Sequence, residues 1–270
     1  SGMEIDAGDV IASPIADARS ILTADQKELG VALINIGSST TSVSVYEDGK
    51  LLSLTVFPVG SANITNDIAI GFKTEIEIAE KIKKEYGACS IREPSGSKKI
   101  EIDISSFSEV EENPVQDIED NFFETIDISS KKTKSTVKVK KDKSNYLSFS
   151  QKQLKKIIDA RVNEIYDLIG NEIKKIGKQG SLPGGIILTG GGAKLPGMVE
   201  LAKKEFNLPC RIGYPKGFNE QIMDPVFSTV CGLVLDDFEE DGGSSEYNEE
   251  KTGMGKIFSK IGNFIKNLAP

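Results

Sequence analysis

Short apolar runs and alternating segments divide the chain into strands and predict a β-sheet. A continuous apolar run is typical of a strand buried on both faces, whereas alternation indicates one solvated face. The second and third predicted strands are joined by Asp48-Gly49, a strong hairpin signal. We therefore predict three antiparallel strands early in the chain and two more strands late in it. These strands are residues 31–36, 41–46, 51–59, 186–189 and 209–212.

Helical periodicity fills most of the segments between these strands. Apolar residues recur there every three or four positions, which places them on one face of a helix. Thr74 with Glu77, and Ser150 with Gln153, have the spacing of capping boxes, which mark helix starts. The predicted helices are residues 13–22, 63–72, 74–86, 151–175, 196–206 and 226–235.

A charged region interrupts this pattern between residues 95 and 147. It is rich in Lys, Ser, Glu and Asp, with an acidic stretch at 109–120 and a basic stretch at 131–143. It also contains two short alternating runs, at 100–104 and 137–139. This composition is typical of exposed loops or of a partly disordered insertion.

Composition and charge narrow the functional classes. The chain of 270 residues has 41 acidic and 33 basic residues, and its net charge of −8 argues against general nucleic-acid binding. It contains no histidine, which excludes triads and metal sites built on histidine within this chain. Cys89, Cys210 and Cys231 lie far apart without metal-ligand spacing, and we interpret them as buried thiols. No stretch approaches the roughly 20 apolar residues that a membrane span requires.

Two turns of small residues are candidates for contacts to a nucleotide. The first separates two predicted strands, and its small side chains let backbone amides approach phosphate oxygens. The second separates a buried strand from a helix, where a phosphate or ribose can lie against the backbone. An ordinary hairpin turn and a tight strand-to-helix turn are the respective alternatives. The two turns consist of Gly37, Ser38, Ser39 and Thr40, and of Gly190, Gly191 and Gly192.

A charged pair stands one helical turn apart in the predicted helix 74–86. Glu80 and Lys83 have i,i+3 spacing, which brings their side chains together on one helix face. Such a pair is usually a solvated surface pair. Here the pair is a further candidate for the same site, because it lies between the two small-residue turns in the chain.

This order of features resembles the actin, Hsp70 and sugar-kinase superfamily. That superfamily combines a meander and its phosphate turn with a later helix and a second glycine turn. Several phrases narrow the resemblance to the FtsA family of bacterial cell-division proteins. They are ELGVAL at 28–33, PVG at 58–60, NITNDIA at 63–69, AE-x-IK-x-x-YG at 79–87 and LTGGGA-x-LPG at 188–197. The resemblance covers residues 1–92 and 145–235, together with the C-terminal tail.

The resemblance implies an α/β fold with several parts. An actin-like (ribonuclease H-like) subdomain, with a mixed sheet flanked by helices, is expected at 1–90 and 178–236. A smaller α+β upper subdomain with the charged insertion is expected at 91–177. An acidic flexible linker at 237–252 and an amphipathic membrane-targeting helix at 253–270 complete the expected organisation.

The same resemblance implies a site for ATP with Mg²⁺. Residues 37–40 would form the second phosphate loop, Glu80 and Lys83 would contact ribose and adenine, and residues 190–192 would form the adenosine loop. FtsA-like proteins have an aspartate that helps to hold the metal and its water where this chain has Asn35. Because a neutral amide offers Mg²⁺ no charged ligand, we expect nucleotide hydrolysis to be weak or absent.

Two further departures from the family pattern bear on nucleotide affinity. Ser38 and Ser39 stand where FtsA-like proteins have glycines. FtsA-like chains also carry a preceding subdomain with the first phosphate loop and an inserted interaction domain, which this sequence does not include. We therefore expect the cleft to be open on one side and the ATP affinity of this chain alone to be poor.

The last 18 residues have the pattern of an amphipathic helix. Apolar residues at helical spacing form one face, and lysines lie on the other. A cationic amphipathic helix after an acidic linker suits an anionic membrane surface, and FtsA-like proteins end in such a helix. Docking into a protein groove and burial as a core helix are the alternatives. The candidate membrane residues are Ile257, Phe258, Ile261, Phe264, Ile265 and Leu268, with Lys256 and Lys260.

The resemblance also implies a protein partner. FtsA-like proteins bind the C-terminal peptide of FtsZ through the upper subdomain. That peptide carries acidic residues, so a cation on the predicted helix 151–175 suits it. Arg161 is our candidate contact, and a solvated surface arginine is the alternative.

Taken with these features, the resemblance implies a cell-division adaptor at the cytoplasmic side of the cell membrane. It would bind ATP, self-associate into filaments and tether FtsZ filaments at the division site. Two other actin-like roles stay open: an ATP-driven enzyme, such as a sugar kinase or an Hsp70-like ATPase, and a scaffold of type IV pilus assembly. The amphipathic tail and the FtsA-like phrases favour the adaptor.

Overall fold

The computed structural model describes residues 10–89, 98–104 and 146–240 of the chain. Within these ranges it contains strands and α-helices together with two short 3₁₀ segments, Gly191–Lys194 and Pro225–Phe227. The strands are β1 (Val31–Ile36), β2 (Thr41–Glu47), β3 (Lys50–Phe57), β4 (Lys99–Asp103), β5 (Tyr146–Ser150), β6 (Ile186–Thr189) and β7 (Cys210–Ile212). The helices are α1 (Ser13–Ile21), α2 (Ala24–Leu29), α3 (Ser61–Phe72), α4 (Ile76–Tyr86), α5 (Gln151–Lys175), α6 (Met198–Phe206) and α7 (Ser228–Glu240).

Five of the strands form one mixed sheet in the order β3-β2-β1-β6-β7. The β1–β2 and β2–β3 pairs are antiparallel, whereas the β1–β6 and β6–β7 pairs are parallel. The meander predicted early in the chain is therefore confirmed, and the two late strands extend it beyond β1. Asn35 pairs with Thr189, so the carboxyl ends of β1 and β6 lie side by side. In open α/β sheets, ligands bind at such carboxyl ends.

Helices cover both faces of this sheet, which explains why β1 is apolar except at Asn35. Successive residues of a strand point to opposite faces. Ala32 and Ile34 enter the larger core, which also contains residues of α3, α4 and α5. Val31 and Leu33 instead pack with Ile21 of α1 in a smaller core on the other face. The predicted fold class, a mixed sheet flanked by helices, is confirmed.

The longest helix, α5, anchors the larger core. It buries one stripe of residues at spacings typical of a helix face. Each large aliphatic side chain in this stripe contributes roughly 1.5–3 kcal/mol when it leaves water. The Tyr166 hydroxyl donates to the Met198 carbonyl at 2.9 Å, which ties α5 to the start of α6. The buried stripe consists of Leu154, Ile158, Val162, Ile165, Tyr166, Ile169 and Ile173.

Strands β4 and β5 form a separate antiparallel pair. Phe149 of β5 stacks on Phe72 of α3 with ring centroids 4.8 Å apart, and it meets Tyr86 of α4 edge-on. The alternating run at 100–104, which the sequence placed in a region of loops or a partly disordered insertion, instead lies largely within β4. Its partner β5 was not predicted, because this short segment runs directly into the helix that begins at Gln151. The other predicted run, at 137–139, lies outside the described residues.

The start of α4 differs from the prediction. The helix begins at Ile76 with Glu75 as its N-cap, so the capping box predicted from Thr74 and Glu77 is wrong. The Thr74 amide instead donates to the Ala69 carbonyl at 3.0 Å. Thr74 therefore closes α3 and does not open α4.

Other helices also differ from the prediction. Helix α2 was not predicted, although Thr23 and Gln26 form a complete capping box at its start. The helix predicted from residue 196 begins at Met198. Helix α7 runs to Glu240, past the predicted end at 235 and into the segment predicted as linker. Its packing against α1 gives this helix tertiary support that its local sequence does not reveal.

The three cysteines are buried free thiols, as predicted. Burial raises the pKa of Cys89 and of Cys210 to about 12, and that of Cys231 to about 11. These thiols are therefore protonated at neutral pH, and they act as small packing groups.

Candidate functional site

The turn between β1 and β2 is held from behind by the start of α3. The amides of Ser61 and Ala62 donate to the carbonyls of Gly37 and Ser38 at 2.9 and 2.8 Å. Within the turn, the Gly37 amide donates to the Thr40 carbonyl at 2.9 Å. The three residues after Gly37 are exposed. The turn therefore presents three hydroxyl side chains to solvent while its backbone is fixed.

The glycine turn after β6 packs against the end of β1. Gly190 has a φ of 83°, in the left-handed region, and a Cβ on it would lie 2.2 Å from Asn35 Oδ1. A Cβ on Gly192 would lie 2.4 Å from Ile36 Cγ2. Only glycine fits these two positions. Gly191, in contrast, is exposed, and a Cβ there would meet its first neighbour at 3.8 Å, so a ligand can reach its backbone.

Glu80 and Lys83 form a cluster with α3. Lys83 Nζ lies 2.6 Å from Glu80 Oε2, and it donates to the Thr65 hydroxyl at 2.8 Å and to the Ser61 carbonyl at 3.1 Å. The Thr65 hydroxyl in turn donates to Glu80 Oε2. The Lys83 side chain is 10% exposed and that of Glu80 is 34% exposed. The alternative of a fully solvated surface pair is therefore wrong.

Hydrogen bonds set the charge of Glu80. Burial raises the pKa of this carboxyl, but the hydrogen bonds from Lys83 and Thr65 outweigh burial, and the net shift is downward. Glu80 is therefore ionised at neutral pH. An ionised carboxylate only accepts hydrogen bonds, which makes its exposed part a suitable partner for a sugar hydroxyl.

At the end of β1, the half-buried side chain of Asn35 reaches a carboxylate on α1. Its Nδ2 donates to Asp17 Oδ2 at 2.7 Å, and the Thr229 hydroxyl of α7 donates to Asp17 Oδ1 at 2.6 Å. Asp17 is 1% exposed. Burial raises the pKa of Asp17 above its ordinary value, and the hydrogen bonds from Thr229, Asn35 and Ser228 offset only part of that rise. The acid next to this strand end is thus supplied by α1 and not by β1.

Further hydroxyls extend this buried polar group to β6. Ser20 Oγ donates to the Ser228 carbonyl at 2.8 Å, and Ser228 Oγ donates to the Pro225 carbonyl at 2.9 Å. Thr189 Oγ1 lies 3.2 Å from Ser228 Oγ. Helices α1 and α7 are therefore bonded to each other and to the carboxyl ends of both central strands.

The oxygen donors at this edge fit a magnesium ion that arrives with phosphate. In the part of the chain that the structure describes, no group of three or more His, Cys, Asp or Glu side chains could hold a metal. Asn35 offers one neutral oxygen, and the turn at 37–40 offers hydroxyls. Mg²⁺ typically takes one or two protein ligands and completes its octahedron with water and substrate phosphates. Asn35 fits the role of one such neutral ligand.

Sequence reasoning missed Asp17, Thr65 and Thr229. Asp17 lies on the buried face of α1 between Ala16 and Ala18. A charged residue at a core-facing helical position is rare and is the signal that could have found it. The two threonines carry no such signal, because their roles come from contacts between separate helices: α3 with α4 for Thr65, and α7 with α1 for Thr229.

The structure brings the three predicted groups together at the carboxyl end of β1. Lys83 bonds to Ser61 at the start of α3, and the same start of α3 holds the turn at 37–40. The glycine turn at 190–192 lies against the last two residues of β1. Accessible backbone, exposed hydroxyls, a carboxylate and an ammonium group therefore surround one strand end, a combination that can hold a ligand with phosphate and sugar groups.

Arg161 joins α5 to α3 through a bidentate ion pair. Its Nε and Nη2 donate to the two carboxylate oxygens of Asp67 at 2.7 and 2.9 Å, and its Nη1 donates to Glu164 at 2.6 Å. The Arg161 side chain is 23% exposed. A freely solvated surface arginine does not describe it, because most of its donors are already used within the protein.

The predicted membrane residues at 253–270 lie outside the described residues, as do residues 241–252. Within the described ranges, no helix combines the length and apolar character needed to cross a membrane.

Comparison with known proteins shows the family and the fold of the chain. The family model for the cell division protein FtsA matches residues 32–232. The cell division protein FtsA of Pseudomonas aeruginosa is 31% identical over 237 residues, which cover 87% of this chain and 48% of that protein. That of Bacillus subtilis is 33% identical over 234 residues, covering 87% and 44%. The crystal structure of MreB5 of Spiroplasma citri bound to ADP superposes with a TM-score of 0.58 at 14% identity, covering 86% of this chain and 61% of that one.

The five-stranded mixed sheet, its two helical layers and the turns at the carboxyl end of β1 define a protein with an actin-like α/β fold. The family match extends over most of the described sheet and helices. The chain belongs to the FtsA family of cell division proteins. It spans about half the length of the relatives that it matches.

Proposed function

We propose that this chain is part of a cell-division adaptor that binds ATP with Mg²⁺ and tethers FtsZ filaments to the cytoplasmic side of the cell membrane at the division site. The adaptor would also self-associate into filaments. The observation that carries the proposal is the convergence of three nucleotide-binding signals at the carboxyl end of β1, in a member of the FtsA family.

Each group in the cleft has a proposed role. Gly190, Gly191 and Gly192 would carry the adenosine on accessible backbone, and Glu80 would accept hydrogen bonds from ribose hydroxyls. Lys83 would hold Glu80 in place and line the adenine side. The exposed turn at 37–40 would face the phosphates. Turnover would be slow, because Asn35 gives the metal a neutral ligand in place of a carboxylate.

The nucleotide part is tested by calorimetric titration of the chain with ATP. We expect weak but measurable binding to the wild type, in line with the poor affinity expected of this chain alone, and its loss in Gly191→Leu, because the new side chain would occupy the accessible face of the glycine turn. That position has room for a Cβ, so the melting temperature should stay unchanged. Lys84→Met is a matched control on α4, since Lys84 is exposed and its Nζ only approaches Glu80 Oε1, at 3.4 Å. Equal ATP binding by wild type and Gly191→Leu would contradict the proposed site.

The membrane part is tested by co-sedimentation with vesicles that contain anionic lipid. We expect the full chain to pellet and a chain ending at Thr252 to stay in solution. Replacing Lys256 and Lys260 by Gln should weaken pelleting, because each lysine contributes about 1 kcal/mol near an anionic surface. Vesicles of neutral lipid are the control. If removal of residues 253–270 leaves pelleting unchanged, the membrane role of the tail fails.

The partner contact is tested with the C-terminal peptide of FtsZ on the vesicle-bound chain. We expect recruitment of the peptide, and its loss in Arg161→Met. Because Arg161 also pairs with Asp67, the variant Asp67→Asn is the necessary control. Asp67→Asn frees the guanidinium without removing it, so it should retain or increase peptide binding. If both variants lose the peptide equally, Arg161 acts by joining α3 to α5 and not by touching the partner.

A further inference from the structure

The buried carboxylate of Asp17 makes none of the nucleotide contacts proposed above, yet it bonds to the residue at the metal position. Each of its oxygens has its own donor, Asn35 Nδ2 on one side and the Thr229 hydroxyl on the other. A carboxylate held at both oxygens cannot rotate without breaking a buried hydrogen bond, which is costly. Asp17 therefore presents a fixed acceptor to the end of β1.

The helix that carries Asp17 is itself fixed. A Cβ on Gly232 of α7 would lie 1.8 Å from the Ala16 carbonyl oxygen, so the two helices touch backbone to backbone. Ser20 adds a hydrogen bond to the Ser228 carbonyl at 2.8 Å. The position of the carboxylate relative to β1 and α7 is thus determined by packing as well as by its own bonds.

This fixed acceptor decides which end of the Asn35 amide faces the cleft. A primary amide has a donor end and an acceptor end, and its donor end, Nδ2, lies 2.7 Å from Asp17 Oδ2. With Nδ2 on Asp17, Oδ1 is turned to the glycine turn, where a Cβ on Gly190 would lie 2.2 Å from it. An unanchored Asn35 could turn its NH₂ group to the same place, where it would repel a cation.

We propose that Asp17 is a positioning residue that holds Asn35 with its oxygen toward the cleft, so that this neutral side chain serves as an oxygen ligand for the Mg²⁺ accompanying the nucleotide. The inference rests on the proposed nucleotide site. Asp17 is 1% exposed, whereas Asn35 is half-buried, so the carboxylate acts through Asn35 and does not itself reach the ion. Groups that orient metal ligands in this way typically change metal affinity about 10–100-fold when removed.

The orientation of Asn35 is tested without any nucleotide, by NMR of its side-chain amide in the full chain. In the wild type, we expect the NH₂ protons of Asn35 to exchange slowly with solvent. In Asp17→Ala, we expect them to exchange at least about tenfold faster, as an amide without its buried partner does. Unchanged exchange in a folded Asp17→Ala protein would overturn the positioning role.

The effect on the metal is tested by the ratio of ATP affinities measured with Mg²⁺ and with EDTA. We expect Mg²⁺ to strengthen ATP binding to the wild type, and Asp17→Ala to lose about tenfold or more of that gain while its affinity in EDTA is kept. An equal loss with and without Mg²⁺ would indicate a merely structural role and would overturn the inference.

A second variant covers the case in which Asp17→Ala does not fold. The exchange Asp17→Asn/Asn35→Asp keeps every heavy-atom position and the bond between the two side chains, but it moves the charge to the strand end. We expect it to melt like the wild type and to gain at least as much ATP affinity from Mg²⁺. Asn35→Asp alone sets two carboxylates face to face and should melt at a lower temperature. An exchange variant without any response to Mg²⁺ would contradict the inference.

The outcomes separate this inference from the proposed function. If the wild type binds ATP with no dependence on Mg²⁺, the inference fails and the nucleotide site stands. If the wild type binds no ATP, the nucleotide site and the metal half of the inference both fail. The amide exchange of Asn35 then decides by itself whether Asp17 positions that side chain.

Discussion

The two sides of the β1 strand end handle a buried charge in different ways. On the α3–α4 side, Glu80 is bonded to a cation, Lys83, and a third of its side chain is exposed. On the α1–α7 side, Asp17 is almost fully buried, and its carboxylate is bonded to the neutral donors Asn35 and Thr229. The Glu80–Lys83 pair can change its contacts at modest cost because water reaches it, whereas the bonds of Asp17 depend on tight packing. The first side is therefore suited to meeting a ligand, and the second to holding a side chain still.

The largest effect is expected from breaking the packing on the α1–α7 side at Gly190. Gly190→Ala should lower the free energy of unfolding by roughly 2–5 kcal/mol. Alanine is strained at the φ of 83° that Gly190 has, and its Cβ would also clash with Asn35 Oδ1. Urea denaturation measures this loss. Gly180→Ala is the matched control: Gly180 has a φ of 70° and no atom within 4 Å of the added Cβ. It should cost only about 1–2 kcal/mol. Equal losses would show that the contact between the glycine turn and β1 is loose.

A smaller loss is expected from breaking the ion pair on the α3–α4 side. Lys83→Met should cost roughly 1–2 kcal/mol, because Glu80 loses its buried partner but is exposed enough to regain water. Lys84→Met should change the stability by less than about 0.5 kcal/mol, since Lys84 is exposed and lies 3.4 Å from Glu80 Oε1. Urea denaturation of the three proteins side by side makes the comparison. A loss as large as that of Gly190→Ala would mean that this side is as rigid as the other.

The pH dependence should identify Glu80 as the group that Lys83 stabilises. Because the folded pKa of Glu80 lies below its ordinary value of 4.5, this contribution is present above pH 4.5 and is lost as the pH falls through the folded pKa. The stability gap between wild type and Lys83→Met should therefore stay constant from neutral pH down to 4.5 and narrow below it. Glu172 and Asp224, whose pKa values are also lowered, are present in both proteins and cancel. A gap that stays constant in stronger acid would contradict this account.

The smallest effect is expected in the turn between the two sides. Ser39→Gly should cost less than about 1 kcal/mol, because the side chain is exposed and only chain flexibility changes. Thr41→Val is the contrasting variant nearby, since the buried Thr41 hydroxyl donates to the Val59 carbonyl at 2.8 Å. It should cost roughly 1–3 kcal/mol by leaving that carbonyl unpaired. Thermal unfolding of both variants separates the exposed turn from its buried support. A larger loss for Ser39→Gly than for Thr41→Val would reverse this assignment.

The sequence predicts the central sheet because its signals there are local. The apolar run of β1 reflects burial on both faces, and the Asp48-Gly49 hairpin has positive φ at both residues, as its turn type requires. The alternation of β2 marks a strand but not a solvated face, because six of its seven residues are buried. Helix α2 and strand β5 escape prediction because each is too short to show a period. Their stability comes from a cap in one case and from pairing with β4 in the other.

The candidate site shows the same division between local and distant information. Its turns and the Glu80–Lys83 pair could be predicted, because each is contiguous or lies within one helix. The burial of Lys83 depends on the packing of α3 against α4, and the bond between Asn35 and Asp17 joins separate elements. The sequence pattern of a single helix or strand does not predict contacts between elements. The electrostatics of the site therefore follow only from the tertiary structure.

The backbone contact between α1 and α7 also makes the end of the described region a mechanical element. A pull on the chain beyond Glu240 would be transmitted through α7, and it would act on the contact between Gly232 and Ala16. Thr229 and Asp17 lie in that contact, and Asn35 is joined to it by the hydrogen bond from its Nδ2 to Asp17. Glu80 and Lys83, on α4, lie outside this line of force. Tension on the C-terminal tail would therefore act on Asn35 before it acted on Glu80 and Lys83.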